Sequence, residues 1–526
     1  MTLSPRPATG IPGYVPLVPS PGAGAQAREP VLLLDHVRPG RLFSGTVLLG
    51  LAGSVLVALM AIGAGGILIT DPLISDGPLS WIRYGHGHDL ATAALYLGVG
   101  LIVWAWVRLG RDVLAGTTTA AQVTLAAAAW MAPVLLAPPL FTRDVYSYLA
   151  QGALALRGLD PYELGPSKLP PGIIADNVHY VWQTTPAPYG PLFIFIAKTM
   201  NELTGDNLIL GVIGMRLVLL TGVALLAFAL PRLARRLGGD PALTVWLVIA
   251  NPLTVTHLVG GPHNDLFMIG LLATGALLVL ERRHPAGIAL GTMAMAIKAS
   301  AGIALPFLVW IWAARLPGSR GTRLLRAGMA SLAVFGAVFT ALTLLAGVGL
   351  GWIPALDAPS LIVNWMSLPT AAGEFLHALA SPFGQVSGQP FIAACRLLGS
   401  GAFVGVVAWQ WWLARDGGTA ALRHAALALL WAALLAPATL PWYFSWALVL
   451  GAALPWSRHG AARLVAGSCW LVVCTYPTGE DAFSAWWYQL GMLACSLVAA
   501  TALLRRDPLG LRGHPALIVP APAAPG

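Results

Sequence analysis

The segment FTRDVYSYLAQG, Phe141 to Gly152, places an arginine, an aspartate and two tyrosines at the end of a long apolar run. Wound as a helix, it sets Asp144, Ser147, Tyr148 and Gln151 on one face, with Arg143 and Tyr146 directed elsewhere. A carboxylate among hydroxyl and amide groups can take a proton from a substrate. The same residues also suit a plain interfacial helix. Thr142 would then cap it, Asp144 would meet the helix dipole, and the tyrosines would anchor it. On this segment alone both readings stand.

Two further polar clusters interrupt apolar sequence. GGPHNDLF, Gly260 to Phe267, carries His263, Asn264 and Asp265 after a tight Gly-Gly-Pro turn. Asn264 or Asp265 would cap the next helix, but three consecutive polar residues exceed what one cap needs. His263 suits holding a phosphate or moving a proton. Lys298, in MAMAIKASAGIALPF, is one of only three lysines, with Lys168 and Lys198. An ionisable group between apolar segments points to function, here a cation for a phosphate, with snorkelling as the alternative. GLDPYELGP presents Asp160, Tyr162 and Glu163 on a fixed turn, and APYGPLF presents Tyr189 on another. Aromatics on such turns suit either sugar stacking or membrane anchoring. Glu374 and His377 share a helical face, while Glu480 and Asp481 read as solvated loop residues. TLPWYFSW and YPTGEDAFSAWWY add tryptophans of the interfacial-belt kind.

The elements that position these groups follow from composition. The 526 residues are 57% hydrophobic and 10% charged, with a mean hydropathy of +0.74. A soluble domain carries about 25% charged residues. Recurrent apolar runs predict an all-α polytopic membrane protein with about 13–14 transmembrane helices. The segments 286–298 and 300–314 read as one broken, re-entrant unit. Residues 189–200 read as interfacial, because arginines then gather on one side of the membrane, which the positive-inside rule makes the cytoplasm. That topology puts both termini inside. It puts the loops 141–206 and 350–391, with Asp144, on the outer face. The net charge of +9 then reflects topology, with no call for nucleic acid. Residues 1–44 and 507–526 read as disordered cytoplasmic tails around a transmembrane domain over 45–506. The four cysteines, Cys395, Cys469, Cys474 and Cys495, have no metal-type spacing.

The order TRDVYSYLAQG, LDPYELGP, TPAPYGPLF, NPLTVTHLVGGPHND and IKASAGIALP resembles the GT-C class of polyprenyl-phosphate-sugar glycosyltransferases. More closely, it resembles the actinobacterial alpha-1,6-mannosyltransferases that use polyprenol-phosphomannose, over roughly Ser44 to Arg506. The resemblance implies a GT-C fold with interfacial helices in the large outward loops, and a catalytic base in the first of these, matching Asp144. It makes 141–206 the catalytic loop and 350–391 accessory. It implies a polyprenyl-phosphate mannose donor and a lipid-anchored mannan acceptor of the lipomannan and lipoarabinomannan type. The displacement would be inverting, with Lys298 and Arg143 at the donor phosphate. Tyr148, Gln151, Asp160, Tyr162 and Tyr189 would lie along the sugars, and His263, Asn264 and Asp265 would form the second polar cluster. Asp265, and behind it Asp160, are candidates for a second acid. No cofactor or metal is demanded by the sequence. The competing class is a transporter or lipid-linked sugar flippase, since intramembrane charge and broken helices serve transport as well.

Overall fold

The computed structural model describes residues 44–69, 77, 80–480 and 482–505. Apart from Ser44, the expected tails lie outside the described residues, as do Asp481 and Arg506. The described chain contains helices and no strand. It opens with α1 (Gly45–Ala64), α2 (Gly85–Leu114) and α3 (Ala120–Val134). Two short helices follow, α4 (Asp144–Leu156) and α5 (Pro191–Thr204). The middle of the chain forms α6 (Leu208–Leu237), α7 (Pro241–Val248), α8 (Asp265–Leu280), α9 (His284–Ile297) and α10 (Leu305–Ala313). Next come α11 (Arg320–Ala346), α12 (Leu368–Ala380), α13 (Gln389–Leu413) and α14 (Gly418–Leu435). The chain closes with α15 (Phe444–Gly451), α16 (Arg458–Val472) and α17 (Trp486–Leu504).

This is an all-α polytopic membrane protein. Every apolar segment predicted to span contains a helix, yet only seven of the described helices are long and apolar enough to cross alone: α1, α2, α6, α11, α13, α14 and α17. The others are shorter because the chain breaks inside its apolar runs. A helix of 15 residues reaches about 22 Å, less than the ~30 Å hydrocarbon core. One such break lies between a π-helical turn, Thr254–Gly260, and α8, which meet at 109°. At the predicted re-entrant unit, α9 and α10 are joined through an extended Lys298 and a 3-10 turn over Ala299–Ala304.

Helices pack through small residues and paired indoles. Trp106 on α2 and Trp246 on α7 stack at 4.7 Å, and each indole N–H donates to the other's backbone carbonyl, at 3.0 and 2.9 Å. This satisfies both buried indoles without water. On α4, Gly152 lies so close to α5 that a Cβ there would meet the Ala197 carbonyl oxygen at 2.3 Å. Asn201 on α5 donates to the Leu149 carbonyl at 2.8 Å. The short amphipathic α5 therefore lies packed against α4.

One buried cation ties the breaks together. Arg216 on α6 is 2% exposed. Its guanidinium donates to the carbonyls of Leu135 (3.0 Å), Ala137 and Pro138 (3.3 Å) after α3, and of Val259 (3.2 Å) and Gly260 (2.5 Å) at the π-helical turn. These carbonyls have lost their helical partners, and a planar five-donor group is suited to collect them. Replacing it leaves several buried acceptors unmade, each costing about 1–3 kcal/mol. Arg216→Met should therefore destabilise the protein by about 3 kcal/mol or more, read as a lowered melting temperature in detergent. An unchanged melting temperature would contradict this role.

Candidate active site

The turn that launches α4 is held from several directions. Phe141 has φ 59°, an unusual backbone for a bulky residue. Its ring stacks on His257 at 4.7 Å and its N–H donates to the Pro477 carbonyl at 2.9 Å. The Thr142 hydroxyl accepts from the Asp144 N–H at 3.1 Å, and Arg143 occupies the cap position without a side-chain cap. Asp144 thus starts the helix with its carboxylate 19% exposed.

Asp144, Ser147 and Gln151 form one wall of a cavity of about 280 Å³, as the helical spacing predicts. Facing them are Lys298 and Tyr189. Tyr189 arrives on a Pro-Tyr-Gly-Pro turn packed on the end of α9. Gly190 donates to the Ile297 carbonyl at 3.2 Å, and a Cβ on it would strike the Ala296 carbonyl at 2.4 Å. Tyr148 lies behind this wall, 1% exposed. It makes edge contacts with Tyr189 and Phe193, and its hydroxyl is 3.5 Å from His263 Nδ1. It braces the site and does not line it.

The second polar cluster converges on the first. His263 Nδ1 lies 3.7 Å from Asp144 Oδ2, and its ring lies nearly flat on Trp442 at 3.7 Å. Asp265 is fully buried, and both of its oxygens accept from Lys298 Nζ, at 3.0 and 2.8 Å. Trp446 donates its indole N–H to the same carboxylate, while Lys298 Nζ sits 4.7 Å over Tyr443 and 5.4 Å over Trp446. Asp265, the candidate second acid, thus holds Lys298 and does not line the cavity. Neither Asn264 nor Asp265 caps α8 by a side-chain bond. Both polar atoms of Asn264 and Nε2 of His263 are buried without a partner.

The remaining expected residues lie apart from this cavity. Asp160 accepts from the Tyr162 N–H at 2.8 Å in a local turn, and Tyr162 is buried beneath Gly351. Arg143 donates to the carbonyls of Ile67 (3.0 Å) and Asn177 (3.3 Å) and does not line the cavity that holds Lys298. His377 binds the Val386 carbonyl at an exposed position. Glu480, read as a solvated acid, pairs with His179 at 3.5 Å. Sequence reasoning missed Trp182, Trp442, Tyr443 and Trp446 as cavity residues, because tryptophan at an interface reads first as an anchor. Trp486 and Trp487 fit that anchoring pattern, at 58% and 80% exposed.

Burial pushes the Asp144 carboxyl up to about 6, against the pull of the Lys298 charge and of hydrogen bonds from Trp182 and Thr142. A carboxylate so poised, beside a fixed cation, can accept a proton near neutral pH while the cation meets a departing anion.

Comparison with known proteins bears on what this arrangement serves. Residues 47–314 match the family described as "Alpha-(1->6)-mannopyranosyltransferase, N-terminal domain", and residues 369–505 match "MptB C-terminal domain". The chain is 42% identical to alpha-(1->6)-mannopyranosyltransferase A of Mycobacterium tuberculosis, over 88% of this chain and 90% of the relative. It is 32% identical to the protein of that name in Corynebacterium glutamicum, over 74% and 84%. To alpha-(1->6)-mannopyranosyltransferase B of C. glutamicum it is 30% identical, over 78% and 73%. No solved structure matches. The chain is a membrane glycosyltransferase, and the transporter reading is set aside on that ground. It belongs to the alpha-(1->6)-mannopyranosyltransferase family, whose reaction is mannosyl transfer.

Breaking a buried ion pair from one side costs about 3–5 kcal/mol. Asp265→Asn should lower stability by that order, and adding Lys298→Met to it should recover part of the loss. A double-mutant cycle on melting in detergent measures the coupling, and a coupling of zero would exclude the pair as a structural unit.

Proposed function

We propose that the protein transfers mannose from polyprenyl-phosphate mannose to the 6-hydroxyl of a lipid-anchored alpha-1,6-mannan, with inversion and with Asp144 as general base. The observation that carries this reading is the partly exposed Asp144 carboxylate facing Lys298 across one cavity. The acceptor oxygen attacks the anomeric carbon, and a new C–O bond forms there. The bond from that carbon to the donor phosphate breaks, its electron pair leaving with the polyprenyl phosphate. The acceptor proton passes to Asp144. Lys298, held by Asp265, offsets the charge developing on the phosphate. His263, packed on Trp442, lies against Asp144 Oδ2 and limits where that carboxylate can turn. The clustering of arginines opposite these loops supports a plasma-membrane location with the site on the outer face and both termini in the cytoplasm. The donor there is a lipid, so no nucleotide is required.

Asp144→Asn should abolish transfer in a membrane assay with polyprenyl-phosphate mannose while leaving melting unchanged or raised. Normal mannan elongation by that variant would refute the assignment. The pH dependence follows from the raised carboxyl. The base must be ionised, so the rate should climb as pH rises through about 6 and level off above it. Stability runs the opposite way: the contribution from neutral Asp144 is complete below the ordinary carboxylate range and is lost as pH rises through about 6. Lys298→Met removes a cation that lowers this value, so its acid limb should move to higher pH. A limb that stays in place would show that another group controls it.

A further inference from the structure

Asp144 also borders a second cavity of about 280 Å³, which shares with the first only Asp144, Trp182, Leu440 and Trp442. The two are built differently. The first takes Ser400 and Phe403 from α13 and Ala432 and Leu435 from α14, both spanning helices. Only 11% of the α13 span is buried within the protein, so this cavity adjoins a flank turned to lipid. The second takes no wall residue from any spanning helix. Its walls are the turns around residues 141–144, 179–182, 361–363 and 440–442, with Thr475, Gly479, Glu480 and Phe483.

The polar equipment differs as well. The second cavity is lined by Arg143, His179, Glu480 and Thr475, beside the indoles of Trp182 and Trp442. His179 and Glu480 join two of its walls at 3.5 Å, with the Glu480 side chain 59% exposed. The Thr475 hydroxyl, on a residue 4% exposed, is buried without a partner. Charged and hydroxyl groups set among aromatic rings are what a neutral polyhydroxyl chain needs: hydrogen bonds for its hydroxyls and flat apolar faces for its rings. A polyprenyl tail needs the reverse, an apolar passage to the bilayer.

We propose that this second cavity is the acceptor subsite. It receives the growing end of an oligomannoside from the aqueous side, with Glu480 and His179 binding its hydroxyls, while the donor occupies the lipid-flanked cavity. Asp144 stands in the shared wall, where the acceptor hydroxyl meets the anomeric carbon. The proposal rests on the transfer reaction inferred above.

The test uses the full chain in detergent, polyprenyl-phosphate mannose, and a short synthetic alpha-1,6-linked mannoside. Glu480→Gln and His179→Gln should each raise the acceptor KM about tenfold, the loss expected from one hydrogen bond, with the donor KM unchanged. Ser400→Trp, in the lipid-flanked wall, should raise the donor KM and leave the acceptor KM alone. Because Glu480 is half-exposed, Glu480→Gln should melt as wild type, which separates binding from folding. An unchanged acceptor KM in both polar variants, or a raised donor KM in either, would overturn the subsite. A wild-type protein that transfers to no mannoside would instead overturn the underlying reaction, and the subsite with it.

Discussion

The Arg216 guanidinium joins two stretches of backbone that an apolar environment would otherwise not tolerate. The turn after α3 and the π-helical turn before α8 both present carbonyls without helical partners. In a bilayer such groups must be satisfied inside the protein. One arginine within α6 does this for both, and the Leu140 N–H adds a bond to the Gly260 carbonyl at 3.2 Å. Those two stretches lead directly into Asp144 and into His263, Asn264 and Asp265. The distance between Asp144 and its neighbours is therefore set by a residue that touches none of them.

A second buried charge does for the cation what Arg216 does for the backbone. Asp265 has no exposure, and it is compensated by Lys298 and the Trp446 indole. An ion pair of this kind adds little net stability over an apolar substitute. What it adds is position, since Lys298 sits at the break between α9 and the following 3-10 turn, where an unheld lysine would turn toward solvent. Held over Tyr443 and Trp446, it faces the cavity that Asp144 lines. The two charges that the proposed reaction uses are thus held by different means, Lys298 by its pair with Asp265 and Asp144 by its place at the start of α4.

Helix breaks coincide with three charged residues in and beside the cavity. Asp144 begins α4, Asp265 begins α8 and Lys298 ends α9. A continuous apolar helix buries its polar groups in its own hydrogen bonds and offers none to a substrate. Shortening the helices leaves side chains and backbone ends available at one place, and close packing at Gly152 and Gly190 lets the loop elements approach them. The number of full-length spans is correspondingly smaller than the number of apolar runs.

Much of this was legible in the residues alone. Hydropathy sets the all-α membrane class, because burial in lipid demands long apolar helices whatever their partners. Helical spacing puts Asp144, Ser147 and Gln151 on one face, because a helix repeats every 3.6 residues. Lys298 and Asp265 stand out as charges within apolar sequence. Their pairing does not, since they are 33 residues apart and belong to different helices. Nor could sequence separate Tyr148, turned inward as a brace, from Tyr189 on the cavity wall, because both are tyrosines of the same predicted loop. It assigned Trp442 and Trp446 to the membrane interface, where tryptophan is common, and grouped Arg143 with Lys298, whereas Arg143 binds the Ile67 and Asn177 carbonyls outside the cavity that Lys298 lines. Arg216 lies alone in an apolar run and was not singled out from the residues, and its partners come from segments about 80 and 43 residues away. Local composition and periodicity decide which segments are helical and which face carries polar groups. Which of those groups meet depends on contacts between distant segments, and only the packed tertiary structure decides that.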